Sequence, residues 1–265
     1  KGRAMQNLIN IEQDDKVKAF LVTQDLKDEE YINSHYVIMA TKKGQVKKTS
    51  LEQYSRPRTN GINAITIKEG DELLEAKLTT GDSQVMLALK SGKAIRFEEA
   101  KTRPMGRNAS GVRGITLQNE NDEVIGMVAV DDMESNILVV SENGYGKRSS
   151  LEDYRVTNRG GKGVKTISIT EKTGNLVAIK NVTDEEDLMI INKSGIAIRM
   201  AVSDLRVMGR ATQGVKLINL KGNDSIAAVA KVMKDDEEPE VDSETLDNTD
   251  VSENGTAIDT NESEN

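Results

Sequence analysis

Hydrophobic and polar positions along this chain alternate in short runs that are separated by glycine turns. Between Gly61 and Phe97 the runs are INAITI, ELLEAKL, QVMLALK and KAIRF. Alternation with a period of two predicts half-buried β-strands, and no run keeps the 3.6-residue spacing of a long helix. The pattern therefore predicts four short strands in each unit of about fifty residues.

Two sets of glycines keep this spacing along the chain. One set opens GQVKKTSLEQY, GKAIRFEEAKT, GYGKRSSLEDY and GIAIRMAVSDL, at steps of 48, 52 and 51 residues. The other set opens GINAITI, GVRGITL, GVKTISI and GVKLINL, at steps of 50, 52 and 51 residues. Glycine reaches positive φ at little cost, as tight turns between antiparallel strands require. The predicted turn glycines are Gly44, Gly61, Gly92, Gly111, Gly144, Gly163, Gly195 and Gly214.

Four strands in a repeat of about fifty residues are typical of a propeller blade. We expect an all-β, propeller-like fold over residues 1–233, in units that begin near residues 2, 61, 111, 163 and 214. The last unit holds only two strands before the composition changes. Counting strands in this way predicts an incomplete ring whose missing strands precede Lys1, and a first residue other than Met fits a fragment.

Charge divides the chain into two parts. Residues 235–265 contain 13 acidic residues and no Lys or Arg, whereas residues 1–234 contain 31 acidic and 36 basic residues, a net charge of +5. A segment with this charge and few large apolar residues cannot bury enough surface to offset its ordering entropy. Residues 234–265 are therefore predicted to be a disordered acidic tail, with either a solubilising or a regulatory role.

Composition and motifs argue against an enzyme active site in this chain. Cysteine is absent, which excludes a disulfide framework, a thiol nucleophile and a cysteine-built zinc site. The glycine-rich NRGGKG at residues 158–163 is not a P-loop, because Gly163 follows Lys162 where a Ser or Thr would hold Mg²⁺. Tyr54 and Tyr154 share one slot of the repeat, which indicates packing, and His35 is alone. We predict no catalytic residue, metal or cofactor here.

Location in the cell follows only from what the sequence lacks. No apolar run approaches the length that crosses a bilayer, and no secretory signal is visible at the first residues. A cytosolic protein is the default expectation.

Basic residues recur at fixed positions of the repeat. They lie on the strand after each turn glycine of the first set, in the loop that follows, and beside the glycines of the second set. Equal slots in successive blades share one edge, so a basic track is predicted there. The predicted DNA-binding residues are Lys47, Lys48, Arg56, Arg58, Arg96, Arg103, Arg107, Arg113, Lys147, Arg148, Arg155, Arg159, Lys162, Lys165, Arg199, Arg206, Arg210 and Lys216.

A regular line of cations suits the regular line of phosphates in duplex DNA. Contacts of this kind position the duplex and carry little base readout. Aromatic residues make up 3% of the chain and Trp is absent, so stacking on single strands is not favoured. The alternative is that the repeated cations are only the solvated face of repeated strands.

Four stretches resemble a known family. These are GRAMQNLINIEQDD from Gly2, MGRNASGVRGI from Met105, ENGYGKR from Glu142 and GRATQGVKLI from Gly209. They are similar to the C-terminal domain of DNA gyrase A subunits, over nearly all of residues 1–233. The resemblance implies a six-bladed β-pinwheel that wraps duplex DNA around a basic rim.

The resemblance also implies partners and a cellular setting. The domain would work with the gyrase B subunit, and with the N-terminal domain of the gyrase A subunit, in an A2B2 enzyme, in the cytoplasm and on the nucleoid. That enzyme introduces negative supercoils with ATP hydrolysed by its B subunit, whereas Mg²⁺ and ATP belong to its other parts. The family's catalytic tyrosine lies in a domain that is absent here.

One departure from the family pattern concerns its signature box, Q-R-R-G-G-K-G, which lies in the first blade. Residues 158–163 resemble this box but fall in the unit that begins at Gly163, so the box itself is expected before Lys1. Two alternatives stay open. One is the C-terminal domain of a topoisomerase IV A subunit, whereas the other is a protein-interaction propeller of the chromosome-condensation-regulator type.

Overall fold

The computed structural model describes residues 15–234, whose strands form four antiparallel sheets. Each sheet is built around a hairpin from one repeat, and the hairpin turns hold Gly44, Gly92, Gly144 and Gly195 with φ from +79° to +88°. The hairpins are β1 (Tyr36–Thr41) with β2 (Gln45–Ser50), β4 (Gln84–Leu89) with β5 (Lys93–Glu98), β8 (Asn136–Ser141) with β9 (Tyr145–Ser150), and β12 (Glu186–Asn192) with β13 (Ala197–Ala201). The predicted all-β class is confirmed.

A long strand from the next repeat forms the inner edge of each sheet. It pairs antiparallel with the first hairpin strand, as Lys77 opposite Ile38 shows for the first sheet. The inner strands of successive sheets contact one another, which brings them to the middle of the assembly. These strands are β3 (Leu73–Thr79), β7 (Val124–Val130), β11 (Leu176–Val182) and β15 (Ile226–Met233).

A two-residue strand covers the outer edge in three of the sheets. It belongs to the chain segment that follows the next hairpin, and it pairs with the second hairpin strand, so that Gln45 faces Arg113 in the first sheet. These strands are β6 (Val112–Arg113), β10 (Val164–Lys165) and β14 (Val215–Lys216). Among the described residues the fourth sheet has three strands, in the order β13–β12–β15.

The predicted grouping of strands into contiguous blades is wrong. The strands between residues 61 and 97 are divided between two sheets, because β3 joins the preceding hairpin while β4 and β5 start a new sheet. Residues 61–67 form no regular strand. Likewise β14 and β15, which were expected to start one half-blade, belong to the third and fourth sheets. The strand count that placed missing strands before Lys1 therefore relied on a grouping that the structure does not have, and the incomplete ring stays a prediction.

Neighbouring sheets pack face to face, which buries both faces of the central hairpins. Val85, Leu87 and Leu89 of β4 pack toward the first sheet, against Ile38 and Ala40. The alternate residues Met86 and Ala88 pack toward the third sheet. A strand covered on both faces is apolar at nearly every position, as the run VMLAL shows.

The sequence pattern missed one helix and a set of short turns. The helix, α1 (Glu29–Ser34), begins after Asp28, whose carboxylate accepts the backbone N–H groups of Glu30 and Tyr31. Six residues are too few for hydrophobic periodicity to reveal a helix. Each second hairpin strand is followed by a turn of 3₁₀ helix, at Leu51–Tyr54, Glu99–Lys101, Leu151–Asp153 and Val202–Asp204.

The glycines of the second set are confirmed as positive-φ positions, with φ of +74° at Gly61, +86° at Gly111, +70° at Gly163 and +82° at Gly214. Three of them also approach a neighbouring strand closely. A Cβ on Gly111 would lie 2.6 Å from the carbonyl oxygen of Val46, whereas a Cβ on Gly61 would meet nothing within 4 Å.

We predict that Gly111→Ala destabilises the protein more than Gly61→Ala does. Both changes force alanine to positive φ, which costs about 1–2 kcal/mol, but only the first also pushes the outer strand from β2. Unfolding in denaturant measures the difference. Equal losses of unfolding free energy would show that the approach to Val46 does not matter.

Candidate nucleic-acid interface

The short outer strands present cations at the edge of three sheets. In each strand the valine is partly buried and the following residue is exposed. The exposed residues are Arg113, Lys165 and Lys216, which occupy one slot of the repeat. The edge they share lies opposite the inner strands, so these side chains point away from the middle of the assembly.

A second row of arginines runs beside the same edge. The loop before each outer strand lies next to the second strand of a hairpin, through parallel bridges of Pro104, Val156 and Val207. One residue before each bridge stands an exposed arginine, Arg103, Arg155 or Arg206. With Arg56, Arg58 and Lys162, which are also exposed, the two rows form a set of nine that we call the outer-edge cations.

The loop at residues 157–163 encloses a small cleft in the second sheet. The cleft has a volume of about 210 Å³ and lies between this loop and residues 94–96. Arg155, Lys162, Thr157 and Asn158 line it, so it is polar and basic on the loop side. The residues that resemble the signature box, 158–163, therefore form one wall of this cleft.

Four further predicted cations lie outside the outer-edge set, and the side chains of three of them are bound to other parts of the protein. Arg199 is exposed, and its Nε donates to a carboxylate oxygen of Asp187 at 2.7 Å. Arg107, Arg159 and Arg210 share one slot and are partly buried. The guanidinium groups of Arg159 and Arg210 donate to backbone carbonyls at the same edge.

Five predicted DNA-binding residues are buried, which corrects their placement on an exposed track. Each has 9% or less of its surface exposed. They sit in the middle of second hairpin strands, where four consecutive residues, and so both faces of the strand, are buried. The five are Lys47, Lys48, Arg96, Lys147 and Arg148.

Internal partners satisfy these buried cations. Arg96 donates from Nη1 to the carbonyl oxygens of Leu151 at 2.7 Å and Tyr154 at 3.0 Å, in the next sheet. Arg148 pairs with Asp184 and with the carbonyl oxygen of Leu205. Because cations buried in this way link one sheet to the next, their role in the structure is to hold neighbouring sheets together.

Two buried lysines hold the loops of the outer edge. Lys47 donates from Nζ to the carbonyl oxygens of Ala64 and Arg107, and Lys147 donates to that of Gly209 at 2.6 Å. Burial lowers the pKa of Lys47 to about 8, and the nearby Arg107 adds to the shift. Burial likewise lowers the pKa of Lys147 to about 8, with Asp153 opposing the shift.

These shifts predict that stability rises with pH between 8 and 10. An unfolded lysine keeps its proton to about pH 10.4, so in this window the unfolded state binds more protons than the folded state. Below pH 8 both states are protonated and the cost of burying the charge is fully present. We expect a gain on the order of 1 kcal/mol for each lysine.

Unfolding in denaturant at several pH values from 7 to 10 tests this expectation. The variant with Lys47→Met and Lys147→Met should lose most of the rise, since Met has no proton to release. A wild-type unfolding free energy that falls steadily from pH 8 to 10 would contradict the assignment.

The tyrosine and histidine considered as candidate catalytic residues make packing contacts within the protein. Tyr154 is buried, and its hydroxyl lies 2.5 Å from Oγ1 of Thr166. Its pKa is raised to about 12, chiefly by burial. His35 stacks on Tyr31 at a centroid distance of 4.1 Å. No cluster of three His, Asp or Glu residues suited to a metal ion, and no helix able to span a membrane, occurs within residues 15–234.

Sequence reasoning missed the difference between exposed and engaged cations. Lys47–Lys48 and Lys147–Arg148 are pairs of adjacent cations on one strand, and alternation would put one member of each pair outward. The available signal was the apolar run of the paired first strand, which already implied coverage of both faces.

Comparison with known proteins gives a family. The DNA gyrase C-terminal domain, beta-propeller family matches residues 35–80, 85–131, 135–183 and 186–233. Each matched segment spans one hairpin and the inner strand that follows it. The chain is 44% identical over 257 residues to the DNA gyrase A subunit of Staphylococcus aureus strain NCTC 8325 / PS 47, which covers 97% of this chain and 28% of that protein.

Solved structures show the same fold. A DNA gyrase A C-terminal domain aligns with a TM-score of 0.77 at 24% identity, over 88% of this chain and 76% of that one. The C-terminal domain of a DNA topoisomerase IV aligns with a TM-score of 0.80 at 23% identity, over 88% and 71%. The chain spans less than a third of the gyrase A protein that it matches. On the sequence match and the repeated sheets together, it belongs to the DNA gyrase C-terminal domain family.

Proposed function

We propose that this chain binds duplex DNA along its outer edge through the phosphate backbone and bends the duplex around that edge. The observation that carries the proposal is the placement of exposed cations in equal slots at the outer edges of successive sheets, as Arg113, Lys165 and Lys216 illustrate. A second exposed row, Arg103, Arg155 and Arg206, follows the same edge.

The side chains at this edge support contact with the phosphate backbone of DNA. Arginine and lysine side chains on short strands and loops form a repeated array of positive charge, which matches a repeated array of phosphates. The edge carries no tryptophan, and the chain has only 2 Phe and 5 Tyr, so base stacking has few candidates. The described residues contain no helix long enough to read bases in a DNA groove, because α1 has only six residues.

The proposal extends to the assembly in which the chain works. We infer that it serves a DNA gyrase in the bacterial cytoplasm, on the nucleoid, together with the N-terminal domain of the gyrase A protein and with the gyrase B protein. There the bent duplex would be returned for strand passage, and negative supercoiling would draw on ATP hydrolysed by the B protein. Catalytic groups, Mg²⁺ and ATP would belong to those other parts.

Binding of duplexes with unrelated sequences tests the proposal. Fluorescence anisotropy with labelled duplexes of equal length should give dissociation constants that agree within a factor of about three, because phosphates are the same in each. A strong preference for one sequence, or no binding to any duplex, would overturn it. The second outcome would favour a protein-interaction propeller.

The acidic tail gives a separate prediction. The tail lies outside the described residues, but its charge opposes that of the outer-edge cations. If it competes with DNA for them, deletion of residues 235–265 should tighten binding to duplex DNA, most strongly at low salt. Anisotropy with the full and the shortened chain measures this, and unchanged affinity would leave the tail a solubilising segment.

A further inference from the structure

Two arginines at the outer edge, Arg159 and Arg210, bind backbone carbonyl oxygens of that edge. Arg159 donates from Nε to the carbonyl oxygen of Lys101 and from Nη1 to that of Arg113, each at 3.0 Å. Arg210 donates from Nε to the carbonyl oxygen of Asp153 at 2.9 Å and from Nη1 to that of Lys165 at 2.8 Å. The acceptors occupy the same two slots of the repeat in both cases.

Each of these side chains links three sheets. The loop that carries Arg159 connects the hairpin of the third sheet to the outer strand of the second. Lys101 ends the 3₁₀ turn of the second sheet, and Arg113 lies in the outer strand of the first. Arg210 repeats this arrangement one sheet further on. A planar guanidinium suits such a double contact, since its N–H groups point in fixed directions.

Backbone hydrogen bonds accompany each arginine. The N–H of Thr116 donates to the carbonyl oxygen of Gly161 at 2.9 Å, and the N–H of Ser168 donates to that of Thr212 at 3.2 Å. Both donors follow an outer strand, and both acceptors lie in an arginine-bearing loop. The arginine and the backbone bond together fix where the outer strand sits relative to the next sheet.

The carbonyls that Arg159 and Arg210 bind belong to Arg113 and Lys165, whose own side chains are outer-edge cations. With Nε and Nη1 engaged, the two arginines have less to offer a phosphate than an exposed arginine has. We propose that Arg159 and Arg210 are positioning residues that set the spacing and direction of the outer-edge cations, and thereby the bend imposed on DNA. This inference rests on the proposed function.

The third arginine of the slot provides a matched control. Arg107 lies in the equivalent loop, and no side-chain contact with carbonyls of two other sheets is found for it within residues 15–234. Lysine keeps the charge at all three positions but lacks the two fixed N–H groups, Nε and Nη1, with which arginine contacts both carbonyls. The three variants Arg107→Lys, Arg159→Lys and Arg210→Lys therefore separate charge from position.

The experiment measures DNA bending and amide exchange with the full chain. A duplex of about 40 base pairs, far shorter than the DNA persistence length of about 150 base pairs, carries a fluorophore at each end. At saturating protein, Arg159→Lys and Arg210→Lys should lower energy transfer, and Arg107→Lys should not. In the free protein, exchange at Thr116 in the first variant and at Ser168 in the second should be about tenfold faster. The control amide is that of Thr66, which donates to the carbonyl oxygen of Ala109 in the Arg107 loop at 3.3 Å, and it should keep its rate in Arg107→Lys.

The outcomes are distinct. Transfer efficiency and exchange that are unchanged in all three variants would overturn the inference, as would equal losses in all three. If the wild-type chain binds no duplex, the proposed function fails, the claim on DNA bending fails with it, and the exchange rates decide whether the arginines position the outer strands.

Discussion

Replacing Arg103, Arg155 and Arg206 together by Ala is expected to weaken duplex binding on the order of 100-fold at low salt. The three side chains share one slot, are exposed, and make no hydrogen bond or ion pair with another described residue. Each is therefore free to contact a phosphate. Loss of three contacts should also reduce the slope of log affinity against log salt by about 3.

A second triple variant controls for the loss of charge. Lys16 and Lys27 precede α1 and Lys231 lies on the inner strand β15, and all three lysines are exposed. Their replacement by Ala removes the same net charge. Titrations of one labelled duplex should show a change of less than about threefold for this control at moderate salt, because contacts beyond the Debye length are screened. Equal losses in the two variants would show that only net charge matters.

Replacing Glu99 by Ala is expected to cost about 3–5 kcal/mol of unfolding free energy. The Glu99 side chain is fully buried and lies 3.1 Å from Nζ of Lys48, which has 5% of its side chain exposed. Thr79 also donates to this carboxylate, at 2.7 Å. Removal of Glu99 leaves an ammonium group buried between the first and second sheets with its ionic partner gone.

A double-mutant cycle distinguishes this effect from a simple loss of packing. Lys48→Met alone should also be strongly destabilising, since it leaves the buried carboxylate of Glu99 without its ionic partner. The combination of Lys48→Met with Glu99→Leu should cost much less than the two single changes added, because no buried charge remains. Additive losses, measured by unfolding in denaturant, would contradict the account of the pair.

The sequence predicted the turns and the fold class well, for a local reason. Positive φ at Gly44 or Gly163 depends on the few residues around the turn, and the same local signal recurs in every repeat. The assignment of Tyr154 to packing was similarly safe, since the residue fills the same slot as Tyr54 and lies buried in the core.

The sequence pattern could not predict which strands pair with one another. The period is the same whether β3 joins the hairpin before it or the one after it, so a repeat of about fifty residues does not choose between contiguous and exchanged blades. The choice is made by packing of the inner strands, which is a contact between repeats. The outer strands add to the difficulty, because two residues such as Val112 and Arg113 leave no periodicity to detect.

The exposure of the predicted site residues was only partly predictable, for a related reason. Charge recurrence identified the outer-edge cations, and Arg113 and Lys165 stand where the repeat put them. The same recurrence included Lys47 and Arg148, which are buried because other parts of the protein cover both faces of their strands. Sequence spacing alone does not distinguish a cation that is exposed at the outer edge from one that is buried and bound to a carbonyl oxygen.

The salt dependence of duplex binding tests the central claim most directly. For the wild-type chain, log affinity should fall linearly with log salt, with a slope of about −0.9 for each phosphate contacted, and equally for duplexes of unrelated sequence. The nine outer-edge cations allow a steep slope. An affinity that stays constant as salt rises would contradict backbone binding along this edge.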